Sequence, residues 1–141
     1  MGSWYWIGVA AGLGTGAGIV LGALLPEGRI GWLAGLAALL AVGAGIGIGL
    51  LVGGWPEAVA GGAGGLLGVV ASAPIVAGAV RGGGTRLGLA AIVGVVGLVV
   101  AALAFIPIVG YLEALAAPIV AFRMRRRSGE RYAGLRILAK D

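Results

Sequence analysis

The chain has 141 residues, of which 60% are hydrophobic and only 11% are charged, whereas about a quarter of the residues in a typical soluble domain are charged. It contains no cysteine and no histidine, which excludes disulfides, thiolate chemistry, zinc sites built on those residues and imidazole acid–base catalysis. The net charge of +5 comes almost entirely from a basic C-terminal segment, which favours contact with anionic lipid headgroups over binding of nucleic acid.

Ionisable side chains are rare before residue 123, so the uncharged stretches between them predict membrane spans. The six in this region are Glu27, Arg29, Glu57, Arg81, Arg86 and Glu113. Turn-forming or charged residues interrupt the apolar sequence at 26–29, 53–57 and 81–86, and the apolar sequence ends at Arg123. The first three apolar segments, 4–25, 30–52 and 58–80, each have about the 20 residues that a transmembrane helix needs.

The fourth apolar segment, 87–122, is too long for one span, because at about 1.5 Å per residue it would reach roughly 54 Å, against a hydrocarbon core of about 30 Å. Pro107 and Gly110 lie near its middle and predict a break there. We therefore expect helices over 87–105 and 108–122, the second being short enough that a re-entrant or interfacial helix stays open. The predicted fold is an all-α integral membrane protein, a glycine-rich bundle of four to five transmembrane helices in residues 1–122, with a basic tail in 123–141.

The arginines distinguish between possible topologies. Five spans with the N-terminus outside would place Arg29, Arg81, Arg86 and the whole tail on the cytoplasmic side, in agreement with the positive-inside rule. Four spans would put either the tail or the three loop arginines on the wrong side. The abundance of glycine, alanine and arginine, whose codons are GC-rich, favours a prokaryotic genome. We therefore predict a multi-pass protein of a prokaryotic plasma (inner) membrane with a cytoplasmic C-terminus.

A five-residue motif, Ala-Pro-Ile-Val-Ala, occurs at 73–77 and again at 117–121, and each copy is followed within a few residues by arginine. In the five-span topology both copies lie near the cytoplasmic end of a helix. The tail that follows the second copy is predicted either to form a short amphipathic helix on the headgroups or to remain disordered. The predicted contacts with lipid headgroups are Arg123, Arg125, Arg126 and Arg127.

Glycines four residues apart recur through the first three segments, and such spacing places them on one helix face, where two backbones can approach closely. One interpretation is that these glycines hold a single bundle together; the other is that some of them face further copies of the chain and build a homo-oligomer. The predicted helix-packing glycines are Gly12, Gly14, Gly16, Gly18, Gly43, Gly45, Gly47, Gly49, Gly61 and Gly65.

The stretch Gly43–Gly49 has the pattern GxGxGxG, and Gly12–Gly18 has it too. The longer run 41–58 resembles the inner helix of the proteolipid (c-type) subunits of rotary ATPases. That resemblance implies a second helix with a carboxylate in the middle of the membrane that carries protons or sodium, and Glu113 is similar to that element. The chain departs from the family pattern because the span directly after Gly43–Gly49 has no carboxylate.

Glu113 is the one residue for which we predict chemistry. It is either a proton or ion relay in a wet or protein-lined interior, or a carboxylate near a helix N-terminus at the outer interface. No enzyme, cofactor or metal site is expected, because no nucleophile stands with a base and no phosphate-binding pattern occurs. The predicted function is a non-enzymatic structural or accessory membrane subunit that associates with itself or with a membrane partner. The alternative is a small oligomeric channel or transporter for protons or cations that depends on Glu113.

Overall fold

The computed structural model describes residues 2–24, 31–81, 83, 85–106 and 108–133. Regular structure in these residues is entirely helical, so the predicted all-α class is confirmed at that level. The five described helices are α1 (Ser3–Leu24), α2 (Gly31–Val52), α3 (Trp55–Arg81), α4 (Arg86–Leu103) and α5 (Val109–Ala133).

Three of these helices are long and apolar enough to cross a membrane, over Ser3–Leu24, Gly35–Val52 and Trp55–Val80. The apolar part of α4, Leu87–Leu103, is shorter, and α5 combines an apolar first half with the basic residues of the tail. The chain is therefore a helical protein with three candidate spans, as expected of a multi-pass membrane protein.

The connection between α2 and α3 consists of Gly53 and Gly54 alone. A side chain of the first turn of α3 caps the start of that helix. Glu57 lies in that turn, and its Oε2 accepts a hydrogen bond of 2.8 Å from the backbone N–H of Gly54. A carboxylate three residues into a helix that binds the N–H of the preceding cap residue satisfies one donor that the helix leaves free. Glu57 is only 5% exposed, so this carboxylate is both buried and hydrogen-bonded.

Helices α1 and α3 each contact all four other helices, and α1, the more buried of the two, is the centre of the bundle. In the most apolar part of each candidate span, 67% of α1 is buried, against 22% of α2 and 39% of α3. Its small residues allow this, because glycine and alanine let neighbouring backbones come close on every side.

The interface between α1 and α3 is a contact of backbone on backbone. A Cβ atom at Gly14 would overlap the carbonyl oxygen of Gly61, and a Cβ atom at Gly18 would overlap that of Gly65. Both pairs advance by four residues in the same direction, so α1 and α3 run parallel. Side chains larger than hydrogen at these positions would force the two helices apart.

Helix α2 packs on the other side of the same glycines of α3. A Cβ atom at Gly45 would overlap the carbonyl oxygen of Gly61, and one at Gly49 would lie 2.5 Å from the Cα atom of Ala58. Here the residue numbers rise along α2 as they fall along α3, so the two helices are antiparallel. Gly61 is thus enclosed by the backbones of α1 and α2 together.

Helix α4 lies antiparallel to α1. Gly12 faces Ala104 and Gly16 faces Gly97, where added Cβ atoms would lie 2.5 Å from the Cβ atom of Ala104 and 2.6 Å from the carbonyl oxygen of Gly97. These four small residues form one narrow line of contact, and most of the large side chains of α4 lie on the exposed surface of the bundle.

The direction of the helices alternates along the chain, because α5 again runs parallel to α1, with Tyr111 beside Gly8 and Glu113 beside Gly12. The start of α1 and the α2–α3 and α4–α5 connections therefore share one end of the bundle, here called the N-terminal end. The end of α3, the start of α4 and the basic part of α5 share the opposite end, here called the basic end.

Helix α5 does not stop where the apolar sequence stops. It continues without a break from Val109 past Arg123 to Ala133, through Ser128 and Gly129. The boundary predicted between 122 and 123 is thus a change of composition inside one helix, and the first part of the predicted tail is helical. Residues 134–141 and the predicted turn at 26–29, with Arg29, lie outside the described residues.

Candidate functional site

The carboxyl group of Glu113 lies where α5 meets α1 and α4. A Cβ atom at Gly12 would be 3.0 Å from Glu113 Oε2, 2.9 Å from the Cα atom of Gly110 and 2.5 Å from the Cβ atom of Ala104. The absence of a side chain at Gly12 therefore provides the space that the carboxyl group occupies. Both carboxyl oxygens of Glu113 are buried and have no hydrogen-bond partner among the described residues.

The position of Gly12 gives the depth of this carboxyl group in the bundle. Gly12 is nine residues after Ser3 and twelve before Leu24, which at about 1.5 Å per residue puts it roughly 14 Å from one end of α1 and roughly 18 Å from the other. Glu113 follows the start of α5 by only four residues, yet its oxygens pack against a level well inside the central helix. This depth favours the interpretation of Glu113 as a group of the bundle interior over that of an interfacial carboxylate.

Two tyrosines form hydrogen bonds between α1 and the α4–α5 region at the N-terminal end of the bundle. The ring of Tyr111 packs on Gly8, one turn before Gly12, and its hydroxyl donates a hydrogen bond to the carbonyl oxygen of Trp4. The hydroxyl of Tyr5 donates to the carbonyl oxygen of Phe105 at 2.9 Å. One tyrosine on each of α1 and α5 thus bonds to the backbone of the partner segment and ties the α4–α5 connection to the start of α1.

The α4–α5 connection has the break that the sequence predicts near Pro107. Helix α4 ends at Leu103, α5 begins at Val109, and Ile108 between them adopts a φ of 74°. This left-handed conformation is uncommon for any residue with a side chain and unfavourable for a β-branched one. We infer that packing and the two tyrosine hydrogen bonds hold the strained turn in place.

Two other buried polar side chains form hydrogen bonds within their own helices. Thr15 Oγ1 donates to the carbonyl oxygen of Ala11 at 2.8 Å, and Ser72 Oγ donates to that of Gly68 at 2.9 Å. Each bond returns to the residue's own helix four positions earlier, a usual solution for hydroxyls inside a helix bundle. Among the buried polar groups of the described residues, Glu113 therefore stands apart as the carboxyl group without a partner.

The chemistry open to such a group is limited. A bare carboxylate in apolar surroundings without a hydrogen bond costs several kcal/mol. The carboxyl group of Glu113 is therefore stable in this position when it carries a proton, or when water or an ion reaches it. A carboxyl group in this position can take up and release a proton.

The predicted packing glycines fall into three groups in the structure. Gly12 and Gly16 face α4 and α5, whereas Gly14, Gly18, Gly45, Gly49, Gly61 and Gly65 form the contacts among α1, α2 and α3. Gly43 and Gly47 lie on the exposed face of α2, and a Cβ atom at either would meet no other atom within 4 Å. The alternating GxGxGxG pattern of α2 therefore contains an inner line and an outer line of glycines.

The arginines predicted to contact headgroups all lie on α5 at the basic end. Arg123 is exposed, while the side chains of Arg125, Arg126 and Arg127 are outside the described part of the structure. Sequence reasoning did not identify the two bonded tyrosines, because Tyr5 lies in an aromatic cluster that is typical of a membrane interface. Their only signal is the general need of a tyrosine hydroxyl for a partner.

Comparison of this chain with protein-family models, with curated proteins and with solved structures finds no match. The likeness to rotary-ATPase proteolipids therefore rests on the residues quoted above. In the described residues α2 and α5 do not touch, and Glu113 lies beside Gly12 of the first glycine run instead of the Gly43–Gly49 run. The structure therefore does not place the carboxylate beside the helix that carries the resemblance, and Glu113 lies against α1 instead.

Proposed function

We propose that this protein is a non-enzymatic structural or accessory subunit of a prokaryotic plasma membrane, with five crossings, the N-terminus outside and the C-terminus in the cytoplasm. The alternating helix directions support five crossings. The location of Arg81, Arg86 and Arg123 at one end of the bundle supports the orientation, because basic residues favour the cytoplasmic side. Helix α4 and the apolar start of α5 both pack on α1, which supports each of them as a further crossing beside the three candidate spans.

The observation that carries the accessory role is the exposed glycine line of α2. Gly43 and Gly47 leave a flat strip between exposed leucines such as Leu39 and Leu50, and the inner glycines of the same helix are already used by α3. Because lipid gives no hydrophobic drive for helix association, close backbone contact is what brings another helix to such a strip. We propose that the strip binds α2 of a second copy, so that the protein acts as a self-associating membrane subunit.

The absence of native cysteine allows a direct crosslinking test. Gly43→Cys is expected to give a disulfide-linked dimer when native membranes are oxidised. Val95→Cys on the exposed surface of α4, whose native side chain is 60% exposed, is the matched control and is expected to remain monomeric. Only monomer for Gly43→Cys, or equal dimer for both variants, would contradict the proposal. Crosslinking of Gly43→Cys to a different protein instead of to itself would replace self-association by a larger partner.

A second candidate function is proton transport through Glu113. It is favoured by the buried, unpartnered carboxyl group between α1, α4 and α5. A proton is a more suitable cargo than a metal cation, because a proton needs one carboxyl group whereas a hard cation needs several oxygen ligands. The described residues contain no cluster of three acidic or other ligating side chains. Transport also requires water to reach the carboxyl group.

Proton flux into proteoliposomes with an internal pH-sensitive dye tests this second function. The wild type is expected to carry flux under a pH gradient, Glu113→Gln to lose it, and Glu57→Gln to keep it, because Glu57 caps a helix at the N-terminal end. No flux in the wild type above protein-free vesicles would reject transport and leave the accessory role. Flux that survives Glu113→Gln would reject Glu113 as the relay.

A further inference from the structure

An apolar groove of about 420 Å³ lies between α3 and α5 near the basic end. It is lined by Val70, Pro74, Pro118, Ile119, Ala121 and Phe122. Pro74 and Pro118 are the prolines of the two copies of the Ala-Pro-Ile-Val-Ala motif. The repetition in the sequence thus has a structural counterpart, since both copies contribute their proline to the same groove.

The groove opens outward, toward the surface that lipid would cover. Val70, Ile119 and Phe122 on its walls are 53%, 65% and 59% exposed, whereas Ala121 is buried at 4%. Pro74 has no N–H, so the carbonyl oxygen of Val70 one turn earlier receives no helical hydrogen bond from it. The result is an outward-facing apolar slot with the buried Ala121 at its floor.

Positive charge begins directly at the end of this slot. Arg123 follows Phe122 in α5 and is exposed, and it lies five residues after Pro118, or about 7.5 Å along the helix. Arg81 ends α3 seven residues after Pro74, or about 10 Å along that helix. The slot therefore lies at the depth of acyl chains when these arginines are at the depth of headgroup phosphates.

We propose that this slot is a binding site for one anionic phospholipid, with an acyl chain between Pro74 and Pro118 and the phosphate on Arg123. Arg81 ends α3 at the same end of the bundle. The volume is about three times that of a cavity of about 150 Å³ that holds a benzene-sized molecule, so it accommodates much of a chain. The combination of an apolar slot with adjacent positive charge selects an anionic lipid over a zwitterionic lipid with the same chains.

The molecule provides its own control for this proposal. A second apolar groove of about 370 Å³ lies between α2 and α3 at the N-terminal end and is lined by Trp55 and Val59 among others. Unlike the first slot, it has no basic residue next to it among the described residues of that end. Val59 and Val70 are both exposed on α3, at 68% and 53%. They are eleven residues apart, which is close to three helical turns, so both face the same side of the helix at opposite ends.

Native mass spectrometry of the full chain in detergent, with phosphatidylglycerol and phosphatidylcholine of identical chains, tests the site. The wild type is expected to retain one phosphatidylglycerol more tightly than phosphatidylcholine. Arg123→Gln is expected to weaken phosphatidylglycerol binding on the order of fivefold, the effect of one basic residue at a membrane surface, and to leave phosphatidylcholine unchanged. Val70→Phe, which fills the slot, is expected to weaken both lipids, whereas Val59→Phe changes neither.

Circular dichroism first establishes that each variant keeps the helical content of the wild type. Equal retention of the two lipids by the wild type would overturn the proposal. So would a folded Val70→Phe variant that binds phosphatidylglycerol as the wild type does, because the basic tail alone would then explain the attraction. If Val70→Phe instead changes crosslinking between copies without changing lipid retention, the occupant is a second chain and the lipid site is rejected.

Discussion

The packing of α2 on α3 predicts that alanine substitutions at Gly43 and Gly45, two residues apart in α2, have opposite effects on stability. A Cβ atom at Gly45 would overlap the backbone carbonyl of Gly61, and a backbone cannot rotate away as a side chain does. At Gly43 an added Cβ atom would meet nothing within 4 Å. Gly45→Ala is therefore expected to push α2 away from α3, while Gly43→Ala adds only a methyl group to an exposed face.

The expected difference can be estimated from two terms. Replacing glycine by alanine inside a helix gains up to about 1 kcal/mol in either variant, so this term cancels when the two are compared. Overpacking of a close contact costs roughly 1–3 kcal/mol. The free energy of unfolding of Gly45→Ala should thus lie about 1–3 kcal/mol below that of Gly43→Ala, which corresponds to a change of about fivefold or more in the folding equilibrium.

Unfolding by titration with sodium dodecyl sulfate in mixed micelles, followed by far-ultraviolet circular dichroism, measures this difference. The titration is repeated at several protein concentrations, because the proposed self-association through Gly43 would make that variant's stability depend on concentration. At the lowest concentration Gly43→Ala should be at least as stable as the wild type. Equal midpoints for the two variants there, or a lower midpoint for Gly43→Ala, would refute the assignment of inner and outer glycine lines.

Two further predictions concern the N-terminal end of the bundle. Glu57→Ala removes the carboxylate that accepts the hydrogen bond from the Gly54 N–H and should lower the free energy of unfolding by about 0.5–2 kcal/mol. Glu57→Gln keeps an acceptor oxygen and should lose less stability in the same titration. Equal losses for the two variants would argue against the helix cap. Tyr111→Phe removes the hydrogen bond to Trp4 and should cost about 0.5–1.5 kcal/mol, with faster hydrogen exchange in residues 104–109 than the wild type shows, whereas unchanged exchange there would mean that packing alone holds the turn.

Much of the fold follows from where the sequence interrupts its apolar segments. Helix α2 ends just before Gly53–Gly54, α3 ends at Arg81, and α4 ends at Leu103. In each case the sequence supplies a local reason for a helix to end nearby. The extent of α5 was predicted less well. A run of arginine after Phe122 marks a change of surroundings, but arginine is a good helix former and Gly129 alone does not end a helix that is otherwise favourable.

The sequence alone could not predict which neighbouring helix each glycine faces. In a GxGxGxG run, glycines at alternate positions belong to two lines about 200° apart on the helix, and both lines look alike in sequence. Only the location of α3 distinguishes Gly45 from Gly43. For the same reason the sequence identified Glu113 as the exceptional charge but not its neighbour, since Gly8, Gly12 and Gly16 fit a carboxyl-bearing helix and a plain one equally well.

Hydropathy and burial are inversely related in this bundle, and the inversion explains why glycine is the better guide to its core. The candidate span in α2 has a higher mean hydropathy than the one in α1, yet far less of it is buried. In water the most apolar helix would occupy the centre, but lipid accepts leucine as readily as a protein interior does. The helix that allows the closest approach on most sides then takes the central place. That helix is α1, which has one line of glycines beginning at Gly8 and another beginning at Gly14. The missing side chain at Gly12 also provides the space for the unpartnered carboxyl group of Glu113. The proposed proton transport therefore depends on the same glycines that pack the bundle.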